Sequence, residues 1–270
     1  EARLEVVDVE LDAERLQVYQ NFVTAFSAGQ YAAALPLAQN LVDLTEKQYA
    51  ADHAAMINPL SNLGTVYFRM GNYPAAEQQY QRAVRIVDAR GGGGDHQLIR
   101  PLHGLGETWY ATKQYPEAAL ALKRAVDLSR NLDGLYNVDQ LPVLVTLIET
   151  YAALGRNVEV EKEQQYAFHT AESGYGANDL RMLEPIDRYA RWFEQNGRYT
   201  SARAQHGHAL QIAETVAGRA SAETVKPLRA VARTYLLEYL YGAEQQQEPQ
   251  QADPFAVPAA PGAAVARLDR

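Results

Sequence analysis

Apolar and small residues recur along this chain at the spacing of one helix face. Leu60, Leu63, Gly64 and Tyr67 make one such stripe. It is followed by Gly71-Asn72-Tyr73-Pro74-Ala75-Ala76. The same order returns in Leu102, Leu105, Gly106 and Trp109, followed by Lys113-Gln114-Tyr115-Pro116-Glu117-Ala118. The turn positions Gly29, Gly71, Lys113, Gly155 and Gly197 stand 42 residues apart. Pro59, Pro101, Pro185 and Pro227 keep that interval, and Pro142 sits one place early in the remaining unit. Two independent markers in one register establish an internal repeat.

Each unit reads as a helix pair. A small residue (Gly64, Gly106, Ala190, Ala232) lets a second helix approach, and an aromatic follows three places on: Tyr67, Trp109, Phe193, Tyr235. After the turn come an aromatic (Tyr31, Tyr73, Tyr115, Tyr199) and then alanines such as Ala76 and Ala83 on the second helix. These positions specify packing, not chemistry, and Tyr73 is expected to wedge between its own pair and the next. The fourth unit carries Asn157, Val160 and Gln164 where others have aromatic, Ala and aromatic, which predicts a looser or kinked helix. The first unit has Phe22 at a Gly position. The sixth stops after one helix, about residues 223–241, which would cap the array. Residues 1–11, acidic and rich in β-branched side chains, read as an extended arm or, equally, as a lead-in to the first helix. Residues 242–270, rich in Gln, Pro and Ala, read as a flexible tail.

The pattern resembles the tetratricopeptide repeat, and its 42-residue period resembles the kinesin-light-chain subclass, as does the run Asp52-His53 before Leu63-Gly64. The resemblance covers about residues 12–241. It implies an all-α, right-handed α-solenoid of about five helix pairs plus a C-terminal capping helix, with the first helices lining a concave groove. It also matches Asn62 to the subclass's groove asparagine. The other units have Gly104, Thr146, Arg188 and Ala230 there, so that asparagine ladder is mostly missing. Carried over by register, the groove receives Tyr19, Phe26, Asn58, Asn62, Phe68, Arg69, Arg100, His103 and Tyr110 in its N-terminal half. Glu107 and Glu149 fall in the middle, and Arg188, Arg191, Lys226, Arg229 and Arg233 in the C-terminal half.

Composition narrows the function. The chain has 270 residues and a net charge of -8, which disfavours nonspecific binding of nucleic acid or an anionic membrane. It has no cysteine, so disulfides, thiolate metal sites and a cysteine nucleophile are excluded. No apolar run reaches the roughly 18–20 residues of a membrane helix. The chain begins at Glu1 rather than Met, as would an exported protein with its leader removed or a shortened chain. The run Gly91–Gly94 lacks the following Lys-Ser or Lys-Thr of a phosphate loop and reads as a linker. His206 and His208 stand two apart on a predicted helix and diverge, so they do not chelate a metal. Neither a hydrolase nor a dinucleotide motif occurs, and no cofactor is expected.

The expectation is therefore a non-catalytic adaptor or assembly factor that holds a protein or peptide in its groove. Its partner-binding residues would be Asn58, Asn62, Arg69, Arg100, His103, Tyr110, Arg191, Lys226, Arg229 and Arg233. Glu184 and Asp187 stand four residues before Arg188 and Arg191. Lys226, Arg229 and Arg233 have no acid so placed on their own inward face. With Arg191 they predict a positive field for an acidic partner segment, or for the chain's own tail through Glu244, Glu248 and Asp253. Within that tail, residues 253–258 offer Phe255 and Val257 as anchors. Two other readings stay open: a structural subunit acting through its convex face and tails, and an accessory repeat domain of an exported bacterial envelope protein.

Overall fold

The computed structural model describes residues 2–91 and 93–245, with side chains from residue 12 to residue 242. Two compact units are present, residues 1–174 and 175–270. Among the described residues there are eleven α-helices and no strand. The first unit holds α1 (Ala2–Ser27), α2 (Tyr31–Gln48), α3 (Ile57–Arg69), α4 (Tyr73–Ala89), α5 (Ile99–Ala111), α6 (Tyr115–Leu132), α7 (Leu141–Ala153) and nearly all of α8 (Asn157–Tyr175). The second holds α9 (Leu183–Gln195), α10 (Tyr199–Ala217) and α11 (Val225–Gln245). The helices form antiparallel pairs, as the repeat predicts.

Local chemistry explains the boundaries. Within a pair the chain reverses through a left-handed residue, and Gly29, Gly71, Gly155 and Gly197 take φ of 68–76°. Lys113 takes φ 63° at the same register and is the one non-glycine residue with positive φ among the described residues. Between pairs, a short 3-10 turn precedes each odd-numbered helix from α3 onward. The side chains of His53, Asp95, Asn137 and Asp179 each accept a hydrogen bond from the backbone N–H two residues on. These caps also stand 42 residues apart, a marker the repeat reading missed although it was visible in the sequence. The recurring prolines fall in the first turn of α3, α5, α7, α9 and α11, where helical N–H groups lack internal partners anyway.

The small residues do what their spacing predicts, but the wedge is Tyr80 rather than Tyr73. Tyr80 is buried at 2% exposure, and its hydroxyl donates to Thr65 Oγ1 at 3.0 Å. A Cβ on Gly64 would stand 2.9 Å from the Tyr80 ring, and one on Gly104 would stand 2.2 Å from it. The ring thus fills space left by glycines of both α3 and α5. Tyr73 is half-buried beside Phe68, with ring centroids 5.6 Å apart.

Three expectations need correction. Residues 2–11 are the first turns of α1, not an extended arm. Leu4, Val7 and Leu11 recur at helical spacing, and that outweighs a preference for strand. In the fourth unit α8 runs without a break, and Val160 and Gln164 are buried where a looser helix was expected. Finally, α11 extends past residue 241 to Gln245. The remainder of the expected tail, including Glu248, Asp253, Phe255 and Val257, lies outside the described residues.

Candidate functional site

In the first unit the N-terminal helices leave a cleft of about 510 Å³. Leu16, Tyr19, Leu41 and Pro59 supply its apolar lining, and Asp12, Arg15, Thr45, Asn58 and Asn62 its polar groups. One wall is a rigid network. Arg15 donates to Gln48 Oε1 at 2.7 Å and pairs with Asp12 at 2.5 Å. Its guanidinium lies 5.6 Å from the centroid of Tyr49, whose ring stacks on His53 at 4.7 Å. Leu16 and Tyr19 are 57% and 47% exposed, so large apolar surface is open to a ligand here.

Of the residues expected to bind a partner, Asn58 and Asn62 line this cleft. Asn62 is 5% exposed, and Arg100 donates to its Oδ1 at 2.6 Å. The next unit's arginine thus orients the asparagine amide and occupies its carbonyl. Farther along the unit, His103 Nε2 stands 3.8 Å from Glu107 Oε1, too far for a hydrogen bond. Burial holds the His103 imidazole below its ordinary pKa, with Glu107 pulling the other way. Tyr110 is half-exposed, and burial and the charge of Glu149 raise its phenol. Arg69 is exposed at the end of α3. Phe26 and Phe68 are half-buried and pack on Tyr31 and Tyr73 at 5.4 and 5.6 Å. They are pair-internal packing, not open groove.

Sequence reasoning missed Asp12, Arg15, Thr45 and Tyr49. Arg15 and Tyr49 belong to the atypical first unit, where register offers no guide. Leu16 and Tyr19, three apart on a helix face, were the available signal.

In the second unit most of the cations expected to make a positive field are paired with carboxylates. Lys226 Nζ stands 2.9 Å from Glu184 Oε2 and 3.0 Å from Asp187 Oδ2. Arg191 pairs with Asp187 at 2.7 Å, Arg188 with Glu184 at 3.5 Å, and Arg233 with Glu194 at 2.7 Å. Thr234 also donates its hydroxyl to Glu194. Only Arg229 of the four is without a polar partner among the described residues. The charges therefore join α9 to α11, with three carboxylates shared among the paired cations. The sequence reading looked for acids within one helix, but stacking makes neighbours of residues about 42 apart. Inside this network His206 is 1% exposed, 3.4 Å from Glu194 Oε1. Burial lowers its pKa, against the pull of Glu194 and Asp187. Asp187 would be raised by its own burial, but Lys226 and Arg191 outweigh that and hold it low. The small cavity here, about 160 Å³, is bounded by Leu183, Asp187, His206 and Lys226.

Among the described residues no three acidic or histidine side chains are grouped to hold a metal. Nor is any described helix long and apolar enough to cross a membrane.

Comparison with known proteins agrees with the repeat. Residues 23–89 match a tetratricopeptide-repeat family model. That segment carries tetratricopeptide repeats. The likeness to solved structures is one of fold. A set of kinesin light chain, nearly identical TPR-like repeats from Podosopora anserina superposes with a TM-score of 0.64 at 18% identity, covering 77% of this chain and 97% of that one. A Rap protein complexed with Competence and Sporulation Factor gives 0.59 at 13%, covering 90% and 68%. Aspartyl phosphate phosphatase F from Bacillus subtilis gives 0.54 at 11%, covering 84% and 60%. A search of curated proteins found no match. Tetratricopeptide repeats are protein-interaction scaffolds, and no enzyme family is indicated for this chain.

Proposed function

We propose that the chain is a non-catalytic binding module whose first unit grips a short extended segment of a partner protein in the cleft beside α1 and α3. The observation that carries this reading is the cleft's construction: an open apolar lining beside Leu16 and Tyr19 with the amide of Asn58 at its edge. Such a site takes one apolar anchor side chain while the amide bonds the peptide backbone. Arg100 donates to the carbonyl oxygen of Asn62, which leaves the asparagine's NH2 group as the donor for that purpose. The solved complex of a Rap protein, a similar fold, with Competence and Sporulation Factor supports use of these repeats to hold a partner.

The test is affinity capture with the whole chain, followed by the variants Tyr19→Ala and Asn58→Ala. Loss of a captured partner in both, with helical content and melting temperature retained, is the expected outcome. Capture that ignores both substitutions would move the binding surface away from this cleft and favour the reading as a structural subunit.

A further inference from the structure

The last helix is a first-of-pair helix whose second helix is missing among the described residues, and the face it should cover is apolar. Register shows what that face normally does. Leu228 stands in line with Leu60, Leu102, Leu144 and Ile186, whose exposures are 0, 3, 0 and 0%; Leu228 is 57% exposed. Tyr235 stands in line with Tyr151 and Phe193, at 4 and 2%, and is itself 59% exposed. Ala232 is exposed where Ala190 is fully buried. In the earlier units the second helix covers these positions: Tyr80 lies over Gly64, and Leu122 lies over Gly106. In α11 the turn register falls on Tyr239, and the helix runs straight through it to Gln245.

At about 100° per residue, Val225, Leu228, Ala232, Leu236 and Tyr239 form one stripe. Their large members are 52, 57, 56 and 84% exposed. No acidic residue interrupts it, and Arg229 lies at its edge. The inward side is fixed separately, by Ala230 and Thr234 in the core and by Lys226 and Arg233 on the carboxylates of α9. The stripe is therefore held rigidly outward.

We infer that this stripe is a dimer interface, which a second copy of the chain covers with its own α11 in antiparallel contact across a two-fold axis at Ala232. Three features select a second copy. The stripe is symmetric about its small residue, with Leu228 four places before Ala232 and Leu236 four after, and Val225 and Tyr239 seven before and after. A two-fold there sets Leu228 opposite Leu236 of the second copy and the smaller Val225 opposite Tyr239, with the helices free to approach at the alanines. The contact buries no unpaired charge, because Lys226 and Arg233 are already neutralised and Arg229 reaches solvent from the rim. Residues 225–239 span ~21 Å of axis, and an antiparallel helix contact of that length buries on the order of 1,000 Å² in total, the lower limit of a specific interface. That size implies a reversible dimer. This inference is independent of the peptide cleft, which lies in the other unit.

The chain has no cysteine, which makes the test direct. Sedimentation of the full chain over a hundredfold concentration range should show a monomer–dimer equilibrium, centred near ~10 μM as befits an interface of minimal area. Ala232→Cys should form an intermolecular disulfide under mild oxidation, while Leu120→Cys, 74% exposed in the first unit, should not. Leu228→Glu with Leu236→Glu should abolish the dimer and leave the circular dichroism unchanged. A monomer at every concentration overturns the inference, as does a dimer indifferent to the double glutamate variant. If only a chain ending at Gln245 dimerises, residues 246–270 cover the stripe in the full protein, and the inference fails for that protein.

Discussion

Lys113 is the residue at which the repeat departs from its own rule. Every equivalent turn uses glycine, because a Cβ makes the left-handed conformation unfavourable by ~1–2 kcal/mol. Lys113→Gly should therefore stabilise the chain by ~0.5–1 kcal/mol, since glycine's greater freedom when unfolded offsets part of the gain. Thermal denaturation checks this, and a lowered melting temperature would mean that the lysine side chain supplies compensating contacts. Gly104 makes the opposite case. A methyl group there meets the Tyr80 ring at 2.2 Å, and Tyr80 is enclosed on both sides. Gly104→Ala should cost ~1–3 kcal/mol as an overpacked core. Gly93→Ala, with nothing within 4 Å of its added Cβ, should be neutral within about 0.5 kcal/mol. Equal effects of the two alanines in urea denaturation would remove Tyr80 from its assigned place.

At the scale of helices, the repeat was legible because packing imposes it on every unit: the turn glycines, the prolines and the small residues each recur on their own. Tyr80 was less legible than Tyr73, because which aromatic becomes the wedge depends on Gly104 of the following unit as well as on Gly64. The ion pairs were illegible for a related reason. Lys226 finds Glu184 and Asp187, and Arg233 finds Glu194, across a pair of stacked helices rather than along one. The same cross-unit logic places Arg130 of α6 on Glu163 of α8 at 2.7 Å, with side chains only 17% and 10% exposed. This pair stands where the fourth unit lacks its usual apolar residues, and the Arg130 guanidinium also lies over Tyr166 at 3.8 Å. Glu163→Ala should cost up to ~3–5 kcal/mol by leaving Arg130 with only the longer contact to the exposed Asp127 carboxylate, 3.8 Å away. Glu46→Ala, removing the exposed partner of Arg82, should cost under ~1 kcal/mol. Chemical denaturation separates the two, and similar costs would mean water reaches Arg130 freely.

For the whole molecule, acidity acts on two desolvated histidines, half-buried His103 in the first unit and buried His206 in the second. His103 in the first and His206 in the second both have pKa values lowered from the ordinary 6.5, because burial penalises the imidazolium more than the neighbouring carboxylates favour it. Each is thus neutral in the folded chain at a pH where the unfolded chain has begun to bind a proton. When the folded value is the lower one, the unfolded state holds more protons, and stability falls as pH falls. The contribution is complete above about 6.5 and is lost progressively as pH descends toward the lowered values. Asp187, held below the usual carboxylate value by Lys226 and Arg191, adds a second loss only below about 3.8, its unfolded reference. The expected profile of melting temperature against pH is therefore flat near neutrality, declines below about 6.5, and falls again in strong acid. His103→Gln combined with His206→Gln should flatten the first decline and leave the second in place, since glutamine neither titrates nor disturbs Asp187's cations. Melting curves of the double variant that still decline between pH 6.5 and 5 would show that these two imidazoles are not what the fold holds neutral.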